Sequence, residues 1–185
     1  LGCTGVTLVA VVLPLGVLLY WLLLGLAHGE PLVLTWRPAL TSLALGAASA
    51  VVTVAAAFPL ALLAARFSGP LALLAGRIVY AGYALPGIVV ALALVFVTAR
   101  VVPALYQTPA ALLVAYAVLF LPQAAGALRA ALARVHPSQE EAARTLGRTP
   151  AQVLWSVTLP LVRPGVAAAA ALVFLTTMKE LPATL

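Results

Sequence analysis

The sequence predicts an all-α fold, a polytopic transmembrane helix bundle of about five spans with one polar loop. Three observations predict it. Of the 185 residues, 65% are hydrophobic and only 8% are charged, whereas about a quarter of the residues in a soluble domain are charged. The apolar residues form runs of up to roughly 20, the length that a helix needs to cross the hydrocarbon of a bilayer. One long polar stretch, residues 129–163, interrupts these runs.

Five apolar runs are the candidate spans: 6–27, 40–65, 78–99, 108–128 and 166–178. The apolar segment 71–76 is too short to count as a span. The last run reaches full length only if it includes residues 159–165 or continues to residue 185. Prolines inside the spans remove an N–H group and permit kinks. We divide the chain into residues 1–38, a leading span with its periplasmic connector, and residues 39–185, a core that contains the polar loop.

Positive charges predict the orientation of the spans. Three fall on one side of the membrane: Arg37, Arg100 and Lys179. Seven fall on the side of the polar loop: Arg66, Arg77, Arg129, Arg134, Arg144, Arg148 and Arg163. Because loops rich in Lys and Arg stay in the cytoplasm, the polar loop is predicted to be cytoplasmic.

Several classes of function are excluded by composition. The net charge of +6 comes without a basic run that contains aromatic residues, so nucleic acid is not an expected partner. The single cysteine, Cys3, permits neither an internal disulfide nor a cysteine-based metal cluster. His28 and His136 fall on opposite predicted sides, so no metal site is expected. The four carboxylates are too scattered for a catalytic centre, and no enzyme is predicted.

The polar loop carries signals for two short helices. Ser138 and Glu141 fit a capping box, with Ser138 as the N-cap. Gly147 suits a helix end in the left-handed conformation. Thr149 and Pro150 then predict a second helix start, and this second helix continues into the last span. The loop is therefore predicted to fold as a helix, a turn at Gly147 and a second helix.

A wider pattern spans the same loop. Glu141-Ala142-Ala143 is followed after three residues by Gly147, after nine more by Val157, and then by Leu159-Pro160. This spacing resembles the loop signature of the permease subunits of ABC importers. In that family the loop forms coupling helices that dock on a cytoplasmic ATPase subunit. The resemblance implies an ATPase-coupling surface made of these residues: Glu140, Glu141, Ala142, Ala143, Arg144, Leu146 and Gly147.

Three further segments resemble the iron(III) importer branch of this family: residues 37–43, 83–93 and 179–185. In that branch, and in the related thiamine branch, the permease is often one long chain with two cores, and this sequence resembles the second core. In that branch the core has a further span after the segment that matches Lys179-Glu180-Leu181-Pro182. This sequence lacks that further span. We therefore expect a fragment whose pathway is incomplete.

The resemblance implies a multi-pass protein of the bacterial inner membrane that takes part in ATP-driven import. A periplasmic binding protein would deliver the substrate, iron(III) in the first place. Two cytoplasmic ATP-binding subunits would bind ATP and Mg, a second permease core would complete the pathway, and this chain would bind no cofactor. Glu141 would cap and orient the first loop helix, Ala142 and Ala143 would dock closely, and Gly147 would set the turn.

A second set of candidate residues lies in the apolar regions. Lys179 and Glu180 are the only charges in the last of these regions, and Pro86 interrupts the third run. Charges at membrane depth are costly and mark functional sites. The three residues are predicted to form a gate or part of a pathway, with anchoring at the membrane interface as the alternative for the two charges.

Other cargoes and other classes of transporter stay as alternatives. The cargo alternatives are thiamine, a polyamine or another small solute. A secondary transporter would show ionisable residues in the middle of its spans, and a channel would show a filter or a ring of charges. The sequence shows neither feature.

Overall fold

The structure is a computed structural model that describes residues 2–29 and 36–180, and within these residues it contains helices and turns but no strand. Eight α-helices follow one another: α1 Gly2–Ala27, α2 Trp36–Arg66, α3 Pro70–Ala81, α4 Gly87–Arg100, α5 Pro109–Leu132, α6 Pro137–Thr145, α7 Pro150–Val153 and α8 Leu159–Met178. The chain divides into two compact units, Leu1–Ala39 and Leu40–Leu185. The all-α polytopic fold that the sequence predicts is confirmed.

The first unit is dominated by α1. Within α1, residues Gly5–Ala27 form a largely apolar stretch of 23 residues, long enough to cross a membrane. The helix is apolar on every face, as expected of a segment that is surrounded by lipid or by other apolar helices. His28 closes it, with its Nδ1 atom 2.7 Å from the carbonyl oxygen of Leu24.

The core of the second unit lies where α2, α5 and α8 meet. Its buried side chains are Val54, Ala57, Tyr116, Ala124, Leu128, Leu132, Val162, Ala169 and Val173, among others. Glycines allow close approach of the helices, as is usual in lipid. A Cβ on Gly165 of α8 would overlap Ala131 of α5, and one on Gly46 of α2 would lie 2.6 Å from the Met178 side chain. These contacts fix α8 against both other helices.

Polar contacts add to this packing inside the bundle. The hydroxyls of Ser49 on α2 and Thr177 at the end of α8 lie 3.2 Å apart and are buried. Gln123 on α5 donates from Nε2 to Thr176 Oγ1 at 3.0 Å. Interhelical hydrogen bonds of this kind contribute about 0.6 to 2 kcal/mol each in membranes. They tie α8 to α2 and to α5 near the end away from the polar loop.

The third predicted span is a broken element rather than one kinked helix. Helices α3 and α4 meet at an angle of 104°, joined by a 3₁₀ turn at Gly82–Ala84. Pro86 restricts the residue before it to extended conformations, and Leu85 has φ −92° and ψ 119°. The helix therefore stops there and restarts at Gly87. The segment 71–76, left outside the spans above, belongs to α3.

The broken pair nevertheless carries the chain from one side of the bundle to the other. Arg66, the last residue of α2, contacts the carbonyl oxygen of Val135 just after α5. The two helices therefore end on the same side, while α5, with 24 residues, begins on the opposite side. The chain between Arg66 and Pro109 must cross the same thickness, so the α3–α4 pair counts as one candidate span, and the described residues contain up to five such spans.

The last span reaches its full length by including residues 159–165, which confirms the first of the two possibilities, inclusion of these residues or continuation to residue 185. The helical stretch Pro150–Met178 is 29 residues long and includes a π-helical segment, Leu154–Thr158. Leu159 donates its N–H to the carbonyl of Leu154, five residues earlier. Pro160 has no N–H to give to the residue four before it, and the wider π turn accommodates this gap.

Candidate functional site

The polar loop folds as two short helices between α5 and α8, and its first helix begins two residues earlier than the capping box predicts. The N-cap of α6 is His136, whose Nδ1 accepts from the N–H of Ser138 at 3.4 Å, and Pro137 takes the first helical position. Proline is favoured there because its missing N–H has no partner to lose. Ser138 is therefore not the cap, and Glu141, in the second turn, makes no capping bond.

Gly147 ends this helix as predicted. Its φ is +81°, a left-handed conformation that costs other residues about 1–2 kcal/mol. The N–H of Gly147 bonds to the carbonyl of Arg144 at 2.9 Å, and the N–H of Arg148 bonds to the carbonyl of Ala143 at 3.2 Å. This pair of bonds is a Schellman motif. No atom outside the turn lies within 4 Å of a Cβ built on Gly147, so only the backbone conformation requires glycine.

The second helix start is also confirmed. Thr149 caps α7 by accepting from the N–H of Gln152, and Pro150 occupies the first helical position. The Gln152 side chain accepts from the N–H of Thr149 at 2.9 Å, which completes a capping box that the sequence analysis did not assign. Arg148 donates to Ser156, and Ser156 donates to the carbonyl of Gln152. The turn is thus bonded to the helix that follows it.

The carboxylate of Glu140 lies beneath the loop at the centre of a cluster of four residues, which we call the Glu140 cluster. Its Oε1 accepts from Arg66 Nη2 at 2.9 Å, from Arg66 Nε at 3.2 Å and from Thr158 Oγ1 at 2.9 Å. Arg66 also donates to the carbonyl of Val135 at 3.0 Å. Only 9% of the Glu140 side chain and 15% of the Arg66 side chain are exposed. A partly buried, charge-assisted network of this kind has well-defined geometry.

This cluster joins three parts of the chain. Arg66 is the end of α2, Glu140 lies in α6, and Thr158 is the last residue of the π-helical segment that leads into α8. The loop is therefore attached to two spans at once. The roles of Arg66 and Thr158 were not predicted from the sequence, where Arg66 counts only as a positive charge and no local spacing relates it to Glu140.

The other signature residues divide between two faces. Ala143 is buried in the chain's own fold, with 7% of its surface exposed. The expectation that Ala142 and Ala143 both offer a docking face is therefore wrong for Ala143, because that side of α6 packs toward the spans. Glu141, Ala142 and Arg144 are exposed. Leu146 is 82% exposed.

The end of the signature leads into the last span. Val157, Leu159 and Pro160 are half-buried, and Leu159 packs against the core. Trp155, in the π-helical segment, is 69% exposed and was not singled out by the sequence pattern. These residues position the beginning of α8 rather than line the outer face of α6.

The structure places one of the three predicted gate residues, Glu180, beside the residue that follows another, Pro86. A Cβ on Gly87, the residue after Pro86, would lie 2.8 Å from Glu180 Oε1, so the carboxylate lies at the N-terminus of α4. An anion is favoured at this end of a helix. Lys179 is exposed and, like Glu180, follows the last helical residue, Met178. Residues 181–185 of the same motif lie outside the described part of the chain.

Among residues 2–29 and 36–180, no three His, Cys, Asp or Glu side chains lie together as a metal site. Two of the predicted site residues make contacts between helices in the described part of the chain: Glu140 in the Glu140 cluster and Glu180 beside Gly87, at opposite ends of the bundle. The first is the candidate functional site, because it connects an exposed loop to two spans.

Comparisons with known proteins identify the family of the chain. Residues 57–185 match the family described as binding-protein-dependent transport system inner membrane component. The chain is 36% identical to the Fe(3+)-transport system permease protein FbpB 2 of Haemophilus influenzae, over 98% of this chain and 36% of that protein. It is 31% identical to the molybdenum transport system permease protein ModB of Mycobacterium bovis, over 79% of this chain and 59% of that protein.

A third relative is the putative ABC transporter permease protein ORF1 of Streptomyces antibioticus, which is 37% identical over 77% of this chain and 61% of that protein. The chain therefore spans about a third of the length of the iron relative and about three fifths of the other two.

Replacing Glu140 by Gln should loosen the polar loop, whereas replacing its neighbour Glu141 by Gln should not. The first change leaves the Arg66 guanidinium partly buried without its counter-charge, at a cost of about 3 kcal/mol. The second removes an exposed carboxylate that has no bond in the described structure. Trypsin cleaves after the arginines of the loop, so limited trypsin digestion of the purified protein measures how firmly each variant holds the loop.

We expect cleavage within residues 129–163 to be at least tenfold faster in Glu140→Gln than in Glu141→Gln. Arg66→Gln should match Glu140→Gln, and the double variant should add little to either. Equal digestion of the two glutamate variants would show that the Glu140 cluster does not hold the loop.

Proposed function

The chain belongs to the family of inner membrane components of binding-protein-dependent transport systems, and on this basis we propose that it is the permease component of an ATP-driven importer. Its polar loop would be the docking surface for a cytoplasmic ATP-binding subunit. One observation carries the proposal: a bonded, two-helix loop is anchored at the ends of α2 and α8 through Glu140. A loop that only connected two spans would not need this attachment.

The distribution of charge supports a cytoplasmic position for the loop. The end of the bundle that carries the loop also carries Arg66, Arg129, Arg134, Arg144 and Arg148. Loops rich in arginine remain on the cytoplasmic side of the membrane. The opposite end of the bundle, where α4 begins beside Glu180, would then face the periplasm, where a substrate-binding protein would dock.

The surface that remains for a partner is the outer side of α6 and its turn. Leu146, just after the end of α6, is the most exposed large apolar side chain of the described residues, at 82%, and Glu141 and Arg144 precede it on α6. An apolar side chain with charged neighbours, held on a bonded turn, is suited to insertion into a groove on another protein. Glu140 and Ala143 face the opposite way and hold the helix.

The Glu140 cluster supplies a route for movement. A displacement of α6 would act on α2 through Arg66 and on the start of α8 through Thr158. Helix α7, the π-helical segment and α8 are continuous, so the second loop helix cannot move without the last span. Closure of two ATP-binding subunits on ATP and Mg would therefore move both spans together, as alternating access requires. The free energy would come from the different contacts of the two states.

Iron(III) is the proposed cargo, because the iron relative is similar over 98% of this chain. The similarity to a molybdenum permease over 79% of the chain makes molybdate the second candidate. Selectivity would come from the periplasmic binding protein, and a second permease core would complete the pathway. Uptake of ⁵⁵Fe and ⁹⁹Mo by cells that express the full transporter separates the two cargoes.

Replacing Leu146 by Asp should weaken capture of the ATP-binding subunit. The change removes an apolar contact and places a charge in the docking groove, and a central interface residue contributes about 2 kcal/mol or more. We expect co-purification of the subunit with the tagged permease to fall at least tenfold, while expression and trypsin resistance stay unchanged.

The matched control is Gln139→Asp, which places the same charge at an exposed position earlier on α6 and should leave capture within a factor of about two. If Leu146→Asp captured as much subunit as the control, the docking surface would lie elsewhere. A loss of capture in both variants would point to general charge repulsion and would also count against the proposal.

Gly147 gives a second, conformational test. At φ +81° a β-branched residue is strained, whereas Asn tolerates this region. Gly147→Val should therefore insert in the membrane but lose ATP-dependent uptake, and Gly147→Asn should keep most of it. An Asn variant as inactive as the Val variant would show that glycine is needed for another reason than the turn.

A further inference from the structure

A basic cavity lies beside the end of α2, at the same end of the bundle as the polar loop. It has a volume of about 640 Å³ and lies between the turn after α2, helix α3 and the last turns of α5. Its polar side chains are Ser68, Arg77, Tyr80 and Arg129, and Phe67 and Leu73 contribute to its apolar wall. A cavity of this size is within the range of small-ligand sites.

Neither arginine of the basic cavity is neutralised by the described part of the chain. Arg129 donates to the Tyr80 hydroxyl at 3.3 Å and lies 5.9 Å from the centre of the Tyr80 ring, which orients its guanidinium without cancelling its charge. Arg77 is exposed, with no hydrogen bond or ion pair to the described residues. Glu140, a carboxylate at this end of the bundle, is already bonded to Arg66.

The remaining surroundings of the basic cavity are apolar. Phe67 is 63% exposed, and on α3 Leu71 and Leu74 are 73% and 54% exposed. These side chains flank the end of a 31-residue apolar helix, where hydrocarbon gives way to headgroups. The cavity therefore offers two positive charges and apolar walls at the boundary of the membrane.

We infer that the basic cavity binds the headgroup of an anionic phospholipid, with its phosphate at Arg77 and Arg129 and its acyl chains along the exposed leucines of α3. Guanidinium groups bind phosphate oxygens through charge-assisted hydrogen bonds. Basic pockets between transmembrane helices on the cytoplasmic side are suited to acidic headgroups. An inorganic phosphate ion would satisfy the arginines but would leave the apolar wall uncovered, so a lipid fits better than a free anion.

The bound lipid would also affect the loop. Arg129 is within the last turn of α5, six residues before Val135, whose carbonyl accepts from Arg66. A lipid that fixes Arg129 would stabilise the same end of α5 that the Glu140 cluster uses. The binding itself does not depend on the ATP-binding subunit, so its test is independent of the proposed function.

The experiment is native mass spectrometry of the purified protein released from nanodiscs that contain equal amounts of phosphatidylglycerol and phosphatidylcholine. We expect the protein to retain phosphatidylglycerol over phosphatidylcholine, and Arg77→Gln to reduce this preference about fivefold. Arg77→Gln removes no contact within the described chain, so it should fold normally. Arg129→Gln should reduce the preference further, and Arg134→Gln, an exposed arginine outside the cavity, should leave it unchanged.

Two further measurements distinguish a bound phospholipid from free phosphate and from a second copy of the chain. Inorganic phosphate added to phosphatidylcholine nanodiscs should not raise the midpoint temperature at which the protein unfolds, whereas phosphatidylglycerol in the nanodiscs should raise it. The inference is overturned if Arg77→Gln and Arg134→Gln lose lipid preference equally. It is also overturned if free phosphate reproduces the stabilisation, or if Arg77→Gln changes self-association and leaves lipid retention intact.

Discussion

The carboxylate of Glu140 is the contact through which the polar loop is attached to the membrane-spanning helices. One oxygen accepts three hydrogen bonds, two from Arg66 and one from Thr158. A charged pair that is mostly withdrawn from water persists only when its geometry is good and its remaining groups are bonded. Here Arg66 uses a further donation to Val135, so the turn after α5 joins the same network.

The rest of the loop is built around that contact. The Schellman turn at Gly147 reverses the chain after α6, and the Thr149 capping box starts the next helix at once. The π turn before Pro160 then lets this helix continue into α8 without a break. Each of these features removes a flexible point at which the loop could move independently of the spans. The loop and the spans are thus connected by bonded structure and by continuous helix.

Much of this could be predicted from the sequence because it depends on local rules. Gly147 and Thr149-Pro150 are identified by residue type and spacing, and the apolar runs give the spans. The predictions that failed have one local cause and several tertiary ones. His136 rather than Ser138 is the N-cap of α6 because Pro137 occupies the first helical position. Ala143 is buried because its side of α6 faces the spans. Pro86 marks the position of the break in the third span but not its angle of 104°. The pairing of Glu140 with Arg66, 74 residues earlier, has no signal in one sequence.

Because Glu140 and Arg66 are bonded, α6 and the end of α2 should move as one body. Two spin labels at exposed positions, Gln139→Cys on α6 and Phe67→Cys just after α2, with Cys3 replaced by Ser, measure it by double electron–electron resonance in the assembled transporter. We predict one narrow distance distribution that is the same without nucleotide and with bound ATP. A distance that changes between the two states would mean that the loop hinges independently of the spans, and it would contradict this account.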